Sequence, residues 1–330
     1  MYGLSLTSSI VIRINPLFLN MEKKIDRRSF VQKSSLGSTG MLLVPGNLLS
    51  SFKGHKTQIE IPINAHLWIY ASRFPPDWDC TPVLDTVFSD LSYAGIHGVE
   101  IMEGQLRHDD SVERLNRLIE KYELPVSGSS YGVGFKMWDV AQHKTIMEDI
   151  KTVVPRLAQV GGKTFGISVG GKKDGLKTEM ELDAQAALLK KVRFVCEDNG
   201  IEANLHNHTY EVENDMHDLR GTLTRIPDFK LGPDLNWLIR GGVDPVDFIN
   251  AYGPQIVYLH IRDQYKDGTW SEYVGQGDTD FKPIAAALKA QNFEGKTAIE
   301  LAFPNDFIPK NELKEDWKVS REFVEKTFGW

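Results

Sequence analysis

Cysteine is almost missing: the 330 residues contain only Cys80 and Cys196. Two thiols so far apart in sequence make no disulfide framework, so two free, buried thiols are expected and the fold must rest on its core. Long apolar runs are missing too. None reaches the roughly 18–20 residues that a membrane span needs, so no span is expected. A large charge of one sign is also lacking, because 38 Lys and Arg against 45 Asp and Glu leave a net charge of −7. No Lys/Arg stripe is visible either, which argues against a nucleic-acid partner held by phosphate neutralisation. What remains is a chain with 41% hydrophobic and 25% charged residues, able to bury a large core.

The first 55 residues read differently from the rest. From Met21 the text is MEKKIDRRSFVQKSSLGSTGMLLVPGNLLS, a basic stretch with Arg27-Arg28, then Ser29-Phe30-Val31 and a short, weakly apolar run. That resembles a twin-arginine export signal, with Met21 as a plausible true start. Residues 1–55 are therefore expected to be a non-barrel extension that exports the protein to the periplasm. If the signal reading fails, the protein is cytoplasmic.

From about residue 60 one phrase recurs: a short β-rich run, a loop, then a longer helical pattern. The runs are Ile63–Tyr70, Gly98–Met102, Pro125–Tyr131, Thr164–Val169, Ile201–His208, Lys230–Asn236, Ile256–Asp263 and Thr297–Phe303. Glycines such as Gly95, Gly161-Gly162, Gly200 and Gly253 stop several helices just before the next run. Strict alternation implies parallel strands with helical crossovers, and eight is the number that closes a barrel. An open doubly wound sheet would carry a glycine-rich phosphate turn after its first strand, and this chain has none. Residues 56–330 are expected to form a single-domain α/β (β/α)₈ barrel.

In such a barrel the chemistry sits where strands end. Run five ends in His206-Asn207-His208, run six contains Asp234, run seven His260 and run eight Glu300. A lone histidine at a strand end is more often packed in the core, and Asp234 alone could cap a loop. Glu300 is harder to dismiss, because an unpaired carboxylate in an apolar strand costs several kcal/mol or shifts its pKa. Two imidazoles and two carboxylates on four successive strands make an N₂O₂ set suited to one divalent ion.

The runs LHNHTYE, GPDLNW, YLHIRD, GQGDTDFKPI and AIELAF resemble, in order and spacing, the sugar phosphate isomerase/epimerase family of the xylose-isomerase-like barrels. The resemblance covers about residues 60–325. It implies a metal held by His206, Asp234, His260 and Glu300, and a small carbohydrate substrate. One departure stands out: many members have Glu where this chain has His206. In ketose 3-epimerases that Glu faces the strand-eight Glu as an acid/base pair. An imidazole there makes the site less anionic and shifts preference from Mg²⁺ toward Mn²⁺, Fe²⁺, Co²⁺ or Zn²⁺.

The expected chemistry is proton abstraction next to a sugar carbonyl, with Glu300 as base, or His208 acting through a water. Glu100, His66, Trp68 and Arg262 are candidates for substrate binding, and Asp263 for orienting the following loop. The outcome is isomerisation or epimerisation of an unphosphorylated sugar. The alternative is elimination or hydration of a keto-sugar such as a 3-keto-glycoside. Readings from other classes are an endonuclease-type phosphodiesterase, which would need a basic groove, and a barrel that binds sugar without catalysis. Metal identity and oligomeric state stay open at this level.

Overall fold

The protein is described from a computed structural model, which covers residues 61–132, 134–303 and 307–330. The export segment expected over residues 1–55, and its boundary with the barrel, lie outside the described residues.

Eight short strands form the centre: β1 Ile63–His66, β2 Gly98–Met102, β3 Val126–Tyr131, β4 Thr164–Ile167, β5 Glu202–Leu205, β6 Lys230–Leu231, β7 Tyr258–Ile261 and β8 Lys296–Ile299. Most of their residues are buried, as expected for parallel strands covered on both sides. The crossovers are α1 Leu84–Tyr93, α2 Ser111–Tyr122, α3 His143–Gln159, α4 Glu179–Asp198, α5 Thr209–Arg225, α6 Pro245–Tyr252, α7 Phe281–Ala290 and α8 Leu313–Phe328. Each buries one apolar stripe against the strands. In α4, for example, Leu182, Leu189, Val192 and Cys196 point inward.

The strands pair in the order β6-β5-β4-β3-β2-β1-β8-β7, all in parallel. Between β6 and β7 the ladder thins to two parallel bridges, Leu231 with Ile256 and Asp234 with His260. Val257 N donates to Leu231 O and His260 N to Pro233 O, each at 2.9 Å, so the barrel closes there. Close strand approach is fixed by sequence at Gly128, where a Cβ would meet the Thr164 carbonyl at 2.6 Å. Both cysteines are free and buried.

Several strands stop earlier than the sequence pattern suggests. Trp68–Ala71 is a helical turn rather than the end of β1, and Leu235–Arg240 is another, capped by Asp234. His206–His208 lie beyond β5, not within it. At Trp68 and Leu235 the residues keep the look of a strand, but helix-start hydrogen bonds override that pattern. No described helix is long and apolar enough to cross a membrane.

Candidate active site

The loops that follow the strands surround a cavity of about 490 Å³, lined by His66, Ser168, His206, His208, His260, Arg262 and Glu300 together with several aromatic rings. A cavity this size is in the ordinary range for a small-molecule site.

His206 is the first residue after β5. Its N–H still donates to Ile167 O at 2.9 Å, so it keeps the strand's direction into the barrel mouth. Asp234 caps the turn that starts at Leu235: its Oδ1 accepts from the N–H groups of Asn236 and Trp237, both at 3.0 Å. His260 lies across the barrel seam from Asp234. His206, Asp234 and His260 each bring a ligand atom, and the three atoms lie within 4.8 Å of one another. Glu300 is the next residue after β8. Its Oε2 lies 2.9 Å from His260 Nδ1 and its Oε1 lies 3.3 Å from His66 Nδ1.

Most of this cluster is removed from water. Asp234 is fully buried, and His206, His260 and Glu300 nearly so. Arg262, itself buried, supplies the balancing charge: its Nε donates to Asp234 Oδ2 at 2.7 Å and its Nη2 pairs with Glu300 Oε1. Burial would raise the Glu300 carboxyl, but Arg262 and His66 outweigh it and hold the group well below the usual carboxylate range. Asp234 is instead raised by burial, which Arg262 only partly offsets.

The imidazoles are sorted by their partners. Burial drives His206 well below its ordinary value, helped by the neighbouring His260 and His208. Burial and Arg262 pull His208 down to about 4. His260 moves the other way, to about 10, because the Glu100 carboxylate outweighs the effect of burial. Glu100 Oε2 lies 2.7 Å from His260 Nε2, so Nε2 carries a proton and Nδ1 is turned toward Asp234, His206 and Glu300.

Whether this pocket suits a cation is tested by its unsatisfied atoms. His206 Nδ1, His260 Nδ1 and Glu300 Oε2 are buried and have no hydrogen-bond partner. His260 Nδ1 and Glu300 Oε2 are close, but not aligned for a hydrogen bond. Buried polar atoms are normally paired. Three orphans converging beside a buried carboxylate form a donor set that fits a divalent ion, with Glu100–His260 as the outer support that metal-binding histidines usually have.

The structure brings His66, Trp68, His206, His208, His260, Arg262 and Glu300 to the lining of one cavity. It places Glu100 behind His260 rather than on the cavity lining, so Glu100 holds the His260 ring. His208 is about a third exposed. Its Nδ1 lies 3.2 Å from both Ser168 Oγ and Tyr210 OH, which leaves Nε2 for the cavity. Ser168 Oγ donates to the buried Glu211 at 2.7 Å. Asp263 orders the loop after β7 by accepting from Gly275 N at 2.9 Å and Gly277 N at 2.8 Å. Ser168, Tyr210, Glu211 and the ring of Trp237 were not singled out from sequence. Trp237 had a visible signal, since it lies three positions after Asp234. Ser168 had none, because its partners belong to another strand–helix unit.

Residues 88–326 match the family model described as xylose isomerase-like TIM barrel. No curated protein matches the chain. Similar solved structures include D-allulose 3-epimerase from Methylomonas sp. in complex with D-allulose, at 17% identity and TM-score 0.65, covering 81% of this chain and 97% of that one. The 3-keto-D-glucoside 4-epimerase of E. coli is similar at 15% identity and TM-score 0.63, covering 81% and 100%. A sugar phosphate isomerase/epimerase from Parabacteroides distasonis is similar at 15% identity and TM-score 0.64, covering 82% and 95%.

Proposed function

The chain belongs to the xylose isomerase-like TIM barrel family, and from that footing we propose that it is a metal-dependent isomerase or epimerase of an unphosphorylated sugar. The observation that carries this reading is the convergence of three buried atoms that make no hydrogen bond, from His206, His260 and Glu300, beside the buried Asp234. His206, Asp234, His260 and Glu300 would hold the ion. Two imidazoles in the set favour Mn²⁺, Zn²⁺, Co²⁺ or Fe²⁺ over Mg²⁺. A divalent ion held there would supply Lewis-acid polarisation of a sugar carbonyl.

The rest is done by side chains. Glu300 is kept ionised by Arg262 and His66, so it enters the reaction as a base and takes the proton next to the carbonyl. His208 is neutral near pH 7 and offers Nε2 to the cavity as a second proton carrier. Returning the proton to the opposite face gives an epimer, and returning it to the neighbouring carbon, as the hydroxyl proton passes to the former carbonyl oxygen, gives an isomer. Structures similar to this one carry names of sugar epimerases, which agrees with the reading.

A second reading, elimination or hydration of a keto-sugar such as a 3-keto-glycoside, is favoured by His206. It occupies the position where a second carboxylate would complete a two-base epimerase. The Arg-Arg segment near Met21 supports export to the periplasm, where unphosphorylated sugars are the expected substrates.

The test is turnover of ketoses, aldoses and 3-keto-glycosides in D₂O with Mn²⁺ present. Solvent deuterium in the product, lost in Glu300→Gln, is expected. No exchange and no product from any member of the panel would overturn proton abstraction as the chemistry.

A further inference from the structure

Four indoles face the cavity, and the polar centre needs none of them for its charge or its protons. Trp237 and Trp270 pack edge to face at 5.1 Å, and Trp68 and Trp78 meet at 5.4 Å. The two pairs come from different sectors of the mouth: Trp237 and Trp270 follow β6 and β7, whereas Trp68 and Trp78 follow β1. All four are half-buried and line the cavity, and Trp68 and Trp78 also pack against the core.

The pairs differ in how they relate to the polar groups. Trp237 lies over the reacting end. Its backbone N–H donates to Asp234 Oδ1, its ring lies 5.5 Å from that of His208, and the Arg262 guanidinium is 5.4 Å from its centroid. Arg240 packs on Trp270 at 3.5 Å and stiffens this wall. Trp78 belongs to a separate segment, and its backbone adopts the left-handed φ of +52°. That region is unfavourable for a bulky residue and is held only where the surroundings enforce it. Here it brings a second indole against Trp68, on a part of the cavity lining that also holds His66.

Building on the carbohydrate reading above, we propose that the substrate has two linked rings: the reacting sugar lies against Trp237 at the His206–Glu300 centre, and a ring attached to it lies on Trp68 and Trp78. A single sugar ring uses one platform, and the volume of about 490 Å³ leaves room for more. Indole faces hold the C–H face of a pyranose or the face of an aromatic aglycone. A phosphate is a poor fit for the second position. Arg262 is committed to Asp234 and Glu300, while Arg240 is committed to Gln264 Oε1, the Gly268 carbonyl and the indoles.

The probes are methyl α- and β-glucosides as one-ring ligands, and maltose, cellobiose and 4-nitrophenyl α- and β-glucosides as two-ring ligands. Each is titrated calorimetrically into the full chain with Mn²⁺ present. At least one two-ring ligand is expected to bind about tenfold tighter than the methyl glucoside of the same anomer. Preference for the disaccharides identifies a sugar as the second ring, and preference for the nitrophenyl glucosides identifies an aromatic aglycone. Trp78→Gly removes the ring and accepts the left-handed backbone, so it should fold and shrink that ratio to about twofold or less. Trp78→Phe should restore part of it. Equal affinity for one- and two-ring ligands, or an unchanged ratio in Trp78→Gly, would overturn the two-ring inference alone. Absence of binding by every sugar would overturn the carbohydrate reading, and this inference with it.

Discussion

Glu100 and His260 meet at 2.7 Å, carboxylate Oε2 to imidazole Nε2, although 160 residues separate them in the chain. Both are nearly fully buried, and the contact holds a proton on Nε2, so a metal would take His260 only at Nδ1, displacing the second proton. With Nε2 protonated toward Glu100, only Nδ1 can act as a metal ligand, and it is the atom left without a hydrogen bond. The acid on β2 therefore orients a ligand of the proposed metal site without reaching that site itself.

Glu100→Gln should leave the barrel folded and weaken Mn²⁺ binding by about 10- to 100-fold, the usual effect of removing an outer carboxylate. Calorimetric titration of the purified variant measures this. Unchanged affinity would show that Glu100 has only a packing role.

Arg262→Met leaves Asp234 and Glu300 buried without their counter-charge, which should cost about 3–5 kcal/mol in the metal-free protein. A bound divalent ion replaces part of that charge. The rise in Tm on adding Mn²⁺ should therefore be larger in the variant than in the parent. Equal rises in the two proteins would contradict shared charge balance.

The barrel was legible from its eight repeats, because buried parallel strands separated by glycine-stopped helices leave a strong pattern. His206, Asp234, His260 and Glu300 were legible for the same reason: each stands at a strand end among apolar neighbours. What the sequence concealed was direction. The alternation of Trp68–Tyr70 and of Leu235-Asn236 imitates a strand, yet both segments turn into helix. Glu100 was recognisable as unusual in Gly-Val-Glu-Ile-Met, but its partner could only be identified once β2 and β7 were in one barrel. Trp78 and Trp270 lie in irregular loops and had no periodicity to mark them.

Burial raises the Glu211 carboxyl to about 8. Its folded pKa is above the unfolded value of about 4.3, so between those values the folded state holds a proton that the unfolded state has lost. Stability contributed by this group is thus fully present below the unfolded pKa and is lost as pH rises toward 8. The neutral His208, lowered to about 4, acts in the opposite sense but only below about pH 6.5. Denaturant unfolding between pH 6.5 and 8 should show a decline, shared with the raised His260, that Glu211→Gln makes shallower. A decline of the same slope in the variant would remove Glu211 as its source.

Gly277 lies where a Cβ would meet Asp263 Oδ1 at 2.5 Å and the Gln264 carbonyl at 2.6 Å. Gly277→Ala should displace the carboxylate that orders the loop carrying Trp270 and destabilise the protein by about 1–3 kcal/mol. Urea unfolding measures the loss, and a neutral result would mean that the loop adjusts without relying on Asp263.

The most direct test of the account is the metal content of the purified chain after dialysis against Mn²⁺ or Zn²⁺, compared with that of His206→Ala and Asp234→Asn. One ion per chain in the parent, and little or none in either variant with the fold retained, is the predicted result. A parent that binds no ion, or variants that bind as tightly as the parent, would contradict it.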